Sequence, residues 1–215
     1  MNFKKLAIML ALGISMTSFV ACGNKEEAPK EPAATTQTES TATTETVETP
    51  EISEDLTNLK NWEGTWGSMT KYLDVPEVDE AFKEVAKKDN ITPEEARKNY
   101  DERRKVDFNG IKFEGDKVTF FDEPEYQGGK ETTSATYKFD KVIEDKQTWY
   151  IYNANEADAV YPTLALMESD IDSGLHHFHM RYGNSAEDIM SKDGWYPGFV
   201  WPDTTTDNIV HDILD

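Results

Sequence analysis

The sequence Ile111-Lys-Phe-Glu-Gly-Asp-Lys-Val-Thr-Phe120 alternates apolar and polar side chains on both sides of a polar turn. Alternation with a period of two is typical of strands that bury one face, and the Gly-Asp turn predicts a β-hairpin. Further strands are predicted at residues 132–139, 148–153, 161–168 and 175–182. Short strands separated by turn signals favour a barrel or a curled antiparallel sheet.

Upstream of the hairpin the apolar period is that of a helix. A first helix is predicted by the stripe Val75, Val78, Phe82, Val85 and Ala86. A second should begin at Thr92, which forms a capping box with Glu95, and end near Arg104. Residues 62–66 alternate as a first strand would, and a short helix capped near Thr205 or Thr206 ends the chain. The sequence therefore predicts a mainly β domain with a helical insertion.

The N-terminus indicates export. Lys4 and Lys5 precede an apolar run at residues 6–14 that is too short to cross a bilayer, so residues 1–21 are predicted to be a secretory signal peptide. Cys22, the only cysteine, follows Val20-Ala21 as in a bacterial lipobox, which implies cleavage before Cys22 and its lipidation. The domain would then be anchored to the cell membrane and face the extracellular or periplasmic side. An ordinary signal peptide followed by a chance cysteine is the alternative.

Residues 22–56 are predicted to be a tether, and residues 57–215 one folded domain. From residue 24 to residue 56 there is no aromatic side chain, and Glu, Thr, Ala, Pro, Ser and Lys predominate. Such a segment buries too little apolar surface to offset the entropy lost on ordering.

The negative charge of the chain disfavours anionic partners. The formal net charge is −20, and removing residues 1–21, whose only charges are Lys4 and Lys5, makes it −22. An acidic surface without a basic patch repels nucleic acid and anionic lipid head groups. A cation is the easier ligand.

His177-Phe178-His179 is the candidate metal-binding motif. Strand alternation puts both imidazoles on one face and Phe178 on the other. The chain has four histidines, and three of them fall within residues 176–179. Two imidazoles at this spacing can bind one transition-metal ion, although a solvent-facing or hydrogen-bonded pair is the alternative. His176 has the opposite parity and is predicted to be packed or solvent-facing, and His211 to lie on the surface.

A third ligand is expected, because exchangeable zinc sites commonly have three protein ligands and one open position. If the loop before the histidine strand spans residues 171–174, Glu168 lies opposite His177, where Cβ atoms are about 4.5–5.5 Å apart. A shifted register favours Asp170 or Asp172 instead. An exposed carboxylate without a role is the remaining alternative.

Several motifs together resemble the bacterial ZinT (YodA) family, over about residues 58–214. They are Asn61-Trp-Glu-Gly-Thr-Trp66, Tyr100, His177-Phe-His179 followed by Gly183-Asn184, and Trp195-Tyr-Pro197. The resemblance implies an exported zinc-binding protein with a lipocalin-like (calycin) antiparallel β-barrel. It also implies a link to zinc transport, since related domains occur fused to zinc-transport lipoproteins.

By the same resemblance, His177 and His179 are two of the family's three zinc histidines. The third lies nine residues before His177, where this chain has Glu168. A site of two histidines and one carboxylate can bind zinc, and it admits manganese, iron or nickel more readily than three histidines do. The His-rich segment of the family is absent from this sequence.

The expected function is to capture or buffer zinc outside the membrane and to supply an ABC-type zinc importer or its solute-binding protein. The alternative is a lipocalin-type carrier of a small apolar ligand at the cell surface. Metal-assisted hydrolysis would need a general base or nucleophile, and no such constellation stands out, so the protein is not expected to be an enzyme. A purely structural surface lipoprotein is a further alternative.

Overall fold

The computed structural model describes residues 52–215, which form a β-barrel with a layer of helices on one side. The predicted signal peptide, Cys22 and most of the predicted tether lie outside the described residues. Within residues 52–215, no helix has the length and apolar character that a membrane crossing requires.

Strands and helices follow one another in the order that the sequence predicts, with additional short elements. The strands are β1 (Gly64–Ser68), β2 (Gly110–Glu114), β3 (Lys117–Phe121), β4 (Glu131–Glu144), β5 (Thr148–Ala154), β6 (Thr163–Leu166), β7 (Asp170–Asp172), β8 (Leu175–Gly183) and β9 (Gly198–Val200). The α-helices are α1 (Glu54–Thr57), α2 (Pro76–Asp89), α3 (Pro93–Arg104), α4 (Ala186–Met190) and α5 (Thr206–Leu214). Short 3-10 helices span Lys60–Trp62, Met69–Tyr72 and Glu125–Gln127.

Eight strands close the barrel in the order β6-β5-β4-β3-β2-β1-β9-β8, and β8 returns to pair with β6. Every pairing is antiparallel. The short strand β7 follows β6 and pairs with the first residues of β8, beyond the part that β6 covers. The predicted antiparallel barrel is confirmed.

Large aromatic side chains fill the barrel interior. Trp62, Trp66, Phe113, Phe120, Phe178 and Phe199 are each at most 1% exposed. As predicted, Trp62, Trp66 and Trp149 are core residues, while Trp195 and Trp201 are partly buried. On β8, Phe178, Met180 and Tyr182 belong to this interior cluster, so the side chains between them lie on the outer face of the barrel.

The helical insertion covers that outer face. A second apolar cluster joins α2, α3 and α5 to the outer faces of β8 and β9: Met69, Leu73, Val78, Ala81, Phe82, Ala86, Ala96, Leu175, Val200, Ile209 and Ile213. The capping box of Thr92 and Glu95 starts α3 as predicted, and the helix ends at Arg104. The C-terminal end of α3 and the helix α5 thus lie beside the histidines of β8.

The start of the domain differs from the prediction. The helix α1 begins in the predicted tether and ends at Thr57, the first residue of the predicted domain. It buries Leu56, whose carbonyl accepts a hydrogen bond from the Tyr152 hydroxyl. Leu59 has a left-handed backbone, with φ of 65°. The 3-10 turn that follows it contains Trp62, so β1 begins two residues later than expected. Trp62 is still fully buried, and its Nε1 donates to the Met167 carbonyl at 2.8 Å.

Candidate metal centre

His177 and His179 lie side by side on the outer face of β8, as strand parity predicts. Their ring centres are 5.2 Å apart, and the ring planes meet at 77°. Two imidazoles that bind one tetrahedral ion through a single nitrogen each have ring centres about 5 Å apart, because each metal–nitrogen bond is about 2.0–2.1 Å. The spacing of the pair fits one shared ion.

A backbone carbonyl lies beside Nδ1 of each ring. Nδ1 of His177 lies 3.2 Å from the Leu175 carbonyl, and Nδ1 of His179 lies 3.3 Å from the Pro197 carbonyl. An Nδ1–H that donates to a carbonyl leaves Nε2 with its lone pair exposed, and metal-binding histidines are commonly oriented in this way. Both rings can therefore present Nε2 to an ion.

The carbonyl behind His179 is itself held in place. The Pro197 carbonyl also accepts from the Met180 amide at 3.1 Å. Arg181 is buried between the rings of Trp149 and Tyr196, 4.8 and 4.7 Å from their centres, and its Nε donates to the Trp195 carbonyl at 2.9 Å. These contacts anchor the segment Trp195-Tyr196-Pro197 against β8.

The carboxylate opposite His177 is Asp170, so the predicted pairing of Glu168 with His177 is wrong. Asp170 pairs with His177, and Asp172 with Leu175. The cause is the turn: Ser173 and Gly174 both have positive φ, 49° and 83°, and form a two-residue hairpin loop instead of the expected four-residue loop. The register therefore shifts by two residues, to the alternative that favours Asp170.

Asp170 approaches the histidine pair, whereas the charge of Glu168 acts on Tyr150. Oδ1 of Asp170 lies 3.5 Å from Nδ1 of His177. Glu168 lies between β6 and β7, and its charge adds to the effect of burial in raising the pKa of Tyr150, which belongs to the barrel-interior cluster. Within residues 52–215, no three His, Cys, Asp or Glu side chains already converge as a metal-binding group. The role of Glu168 as a ligand stays a prediction.

Arg104 and Asp212, which sequence reasoning missed, complete the surroundings of His179. Nη1 of Arg104 lies 3.0 Å from Nδ1 and 3.4 Å from Nε2 of His179, and it donates to the Tyr196 carbonyl at 2.9 Å. Because the guanidinium only donates, it requires a ring nitrogen that accepts. With the hydrogen on Nδ1, His179 donates to Pro197 and only the 3.4 Å contact of Arg104 with Nε2 can be a hydrogen bond; with the hydrogen on Nε2, Arg104 donates to Nδ1 at 3.0 Å.

A family comparison decides what kind of protein contains this site. The family model described as "ZinT (YodA) periplasmic lipocalin-like zinc-recruitment" matches residues 39–215. The chain belongs to the ZinT family. Zinc, the ion predicted from the histidine pair and the resemblance, is thereby confirmed, and the periplasmic setting of the family agrees with the predicted export. The family description is that of a recruitment protein and not of an enzyme.

Individual relatives are distant. The "Probable metal-binding protein YrpE" of Bacillus subtilis (strain 168) is 23% identical over 159 residues, which are 73% of this chain and 63% of YrpE. The solved Zn(II)-bound ZinT-like domain of Streptococcus pneumoniae AdcA has a TM-score of 0.57 at 20% identity, over 76% of this chain and 95% of that domain. Zn(II)-bound AdcA from the same organism gives a TM-score of 0.58, but only 37% of it is covered. At these identities the solved structures establish the shared barrel fold.

The other two histidines of this ZinT chain behave as predicted. His176 packs against Trp66 and Trp201, with ring centres 4.9 and 5.3 Å apart. His211 is exposed on α5, and its Nε2 lies 3.6 Å from a carboxylate oxygen of Asp215. His176 has the opposite strand parity from the metal pair, and His211 is not on β8.

The protonation of His179 should make the metal-free fold sensitive to acid. Burial lowers the pKa of His179 well below that of an ordinary histidine, and the charges of Arg104 and His177 lower it further. As pH falls below about 6.5, the unfolded chain takes up a proton at His179 that the folded chain refuses. Stability contributed by the neutral ring is present above this pH and is lost as pH falls.

We therefore expect metal-free wild type to lose unfolding free energy relative to His179→Gln below about pH 6.5, with a limiting slope of about 1.4 kcal/mol per pH unit. Urea unfolding in a chelator at pH 5.0 to 7.5 measures the difference. His211→Gln is the control, since His211 is exposed. A constant difference between wild type and His179→Gln across this range would contradict the expectation.

Proposed function

We propose that this protein is an exported, lipid-anchored member of the ZinT family that captures or buffers zinc and supplies it to an ABC-type zinc importer or its solute-binding protein. The observation that carries the proposal is the histidine pair: two imidazoles 5.2 Å apart on the outer face of one strand, each with a backbone carbonyl within 3.3 Å of its Nδ1. The ZinT-like domain of AdcA supports a role beside a second module, because it occurs in a longer Zn(II)-bound protein.

Asp170 is our proposed third ligand. Its Oδ1 lies 3.5 Å from Nδ1 of His177, on the ring whose Nε2 would bind the ion, so the carboxylate must rotate about a side-chain bond to share that ion. Its side chain is 69% exposed, so a rotation towards Nε2 disturbs no packing. A fourth position would remain open for exchange of the ion, which suits a protein that hands its zinc on.

Substitution of single carboxylates should identify the third ligand. We expect Asp170→Asn to weaken zinc binding about 10- to 100-fold, because an anionic ligand becomes a neutral and weaker one. Glu168→Gln and Asp172→Asn remove the same charge nearby and should stay within about threefold of wild type. Competition with a chelating dye measures all four proteins. Loss confined to Glu168→Gln would restore Glu168 as the ligand and reject Asp170.

The lipid anchor rests on Cys22, and its substitution should release the protein. We expect wild type to enter the detergent phase in a detergent-partitioning experiment on whole cells, and Cys22→Ser to enter the aqueous phase. Metabolic labelling with a fatty acid should mark only wild type. Equal partitioning of the two proteins would reject the anchor and leave the zinc site untouched.

The alternative of an apolar-ligand carrier gains no support from the barrel. Its interior is occupied by fully buried aromatic side chains such as Phe113, Phe120 and Phe199. Barrels that carry a ligand enclose a cavity for it. Zinc capture is therefore the function that the geometry favours.

A further inference from the structure

Arg104 lies against the imidazole of His179, close to both ring nitrogens. Its Nη1 lies 3.0 Å from Nδ1 and 3.4 Å from Nε2 of His179, and its side chain is 6% exposed. An ion bound to Nε2 at about 2.0–2.1 Å would stand no more than about 5.5 Å from this permanently charged guanidinium. Two cations at this distance repel each other, so the ion and the guanidinium compete.

The guanidinium is itself held like a bound cation. Nη2 of Arg104 lies 3.2 and 3.3 Å from the two carboxylate oxygens of Asp212. The Tyr100 hydroxyl donates to the same carboxylate at 2.8 Å, and the Tyr100 ring centre is 5.2 Å from the guanidinium carbon. Carboxylate, aromatic face and imidazole nitrogen are the groups that attract cations in proteins. Here these groups surround the guanidinium of Arg104 instead of a bound ion.

One buried hydrogen-bond donor of Arg104, its Nε, lacks an acceptor among the described residues. A buried donor without a partner weakens the state that contains it, so less is lost when the guanidinium leaves. Arg104 is also the last residue of α3, at the end of the helix and not in its interior.

We propose that Arg104 is an internal competitor for zinc. In the metal-free protein its guanidinium takes the place of the cation at His179, zinc displaces it on binding, and its return to Asp212 favours release of the ion. This inference rests on the proposed zinc site and adds to it a residue that limits affinity and sets the dissociation rate. A protein that passes zinc on must bind it reversibly.

The test compares Arg104→Gln, the double variant Arg104→Gln with Asp212→Asn, and the control Arg103→Gln. Arg103 is the exposed neighbour of Arg104, so the control removes an equal charge nearby without emptying the place at His179. Zinc affinity is measured by competition with a chelating dye, and dissociation by stopped-flow mixing with excess chelator. Circular dichroism checks folding.

We expect Arg104→Gln to bind zinc about tenfold tighter and to release it more slowly. The repulsion between zinc and the guanidinium at this distance corresponds to about a tenfold change in affinity, even when water screens the two charges. The double variant keeps the local net charge of wild type and should also bind more tightly. It leaves no unpaired buried charge, so it keeps the test valid if Arg104→Gln fails to fold. Arg103→Gln should match wild type within about twofold.

Unchanged or weaker binding in both Arg104 variants would overturn the inference. Tighter binding in Arg104→Gln but not in the double variant would also overturn it, because the uncovered charge of Asp212 would then be the cause. If zinc affinity depends on both histidines but is unchanged by the Arg104 substitutions, this inference is rejected and the proposed zinc site stands. Binding that survives loss of both histidines rejects the proposed zinc site.

Discussion

The double variant His177→Ala, His179→Ala is expected to lose more than about 100-fold in zinc affinity. Loss of a group that only orients a metal ligand already costs about 10- to 100-fold, and here two ligands disappear together. Both rings lie on the outer face of β8, opposite the barrel core, so the barrel interior should remain intact. Competition with a chelating dye, together with metal analysis of untagged protein, gives the measurement.

A matched control separates this site from general attraction of cations by an acidic protein. His211→Ala removes an exposed imidazole on α5 that has no partner histidine beside it, and it should bind zinc as wild type does. Cells that depend on this protein in zinc-poor medium should grow with His211→Ala and fail with the double variant. Submicromolar binding retained by the double variant would reject the site.

The histidine pair was predictable because strand parity is a local property. Once residues 175–182 are recognised as a strand, His177 and His179 must share a face and Phe178 must face the other way. The capping box at Thr92 and the helical stripe of α2 were predictable for the same reason, since each depends on residues within a few positions of one another.

The third ligand was harder to predict because it depends on one turn. A four-residue loop and a two-residue loop both fit the sequence between Glu168 and Leu175, and each gives a different partner for His177. Ser173 adopts a positive φ of 49°, which a residue other than glycine seldom does, and this selects the shorter loop. The carboxylate that pairs with His177 is therefore Asp170 and not the predicted Glu168.

Arg104 and Asp212 had no local signal at all. They lie 75 and 33 residues from His179 along the chain, and only the packing of α3 and α5 onto β8 brings them to it. The pattern of either helix predicts which side faces the barrel, but it does not predict which strand residue that side meets. Contacts of this kind require the tertiary structure.

Phe178→Ala is expected to lower the unfolding free energy by about 3–5 kcal/mol, the usual cost of removing a buried phenylalanine ring. Phe178 is 1% exposed, and its ring centre lies 4.9 Å from that of Trp66 and 5.6 Å from that of Phe199. Its loss opens a cavity in the interior beneath both histidines. Urea unfolding in a chelator measures the effect, and Phe178→Leu, which keeps most of the volume, should cost clearly less.

Zinc should restore much of what Phe178→Ala removes, because the ring faces the interior while the metal pair faces outward. A ligand that binds only the folded state adds about 2.7 kcal/mol at 100 times its dissociation constant. The zinc-induced gain should therefore be similar in Phe178→Ala and wild type, and absent from the double histidine variant. A Phe178→Ala protein that is folded yet gains nothing from zinc would show that the interior packing, and not only the outer face of β8, determines the position of the two imidazoles.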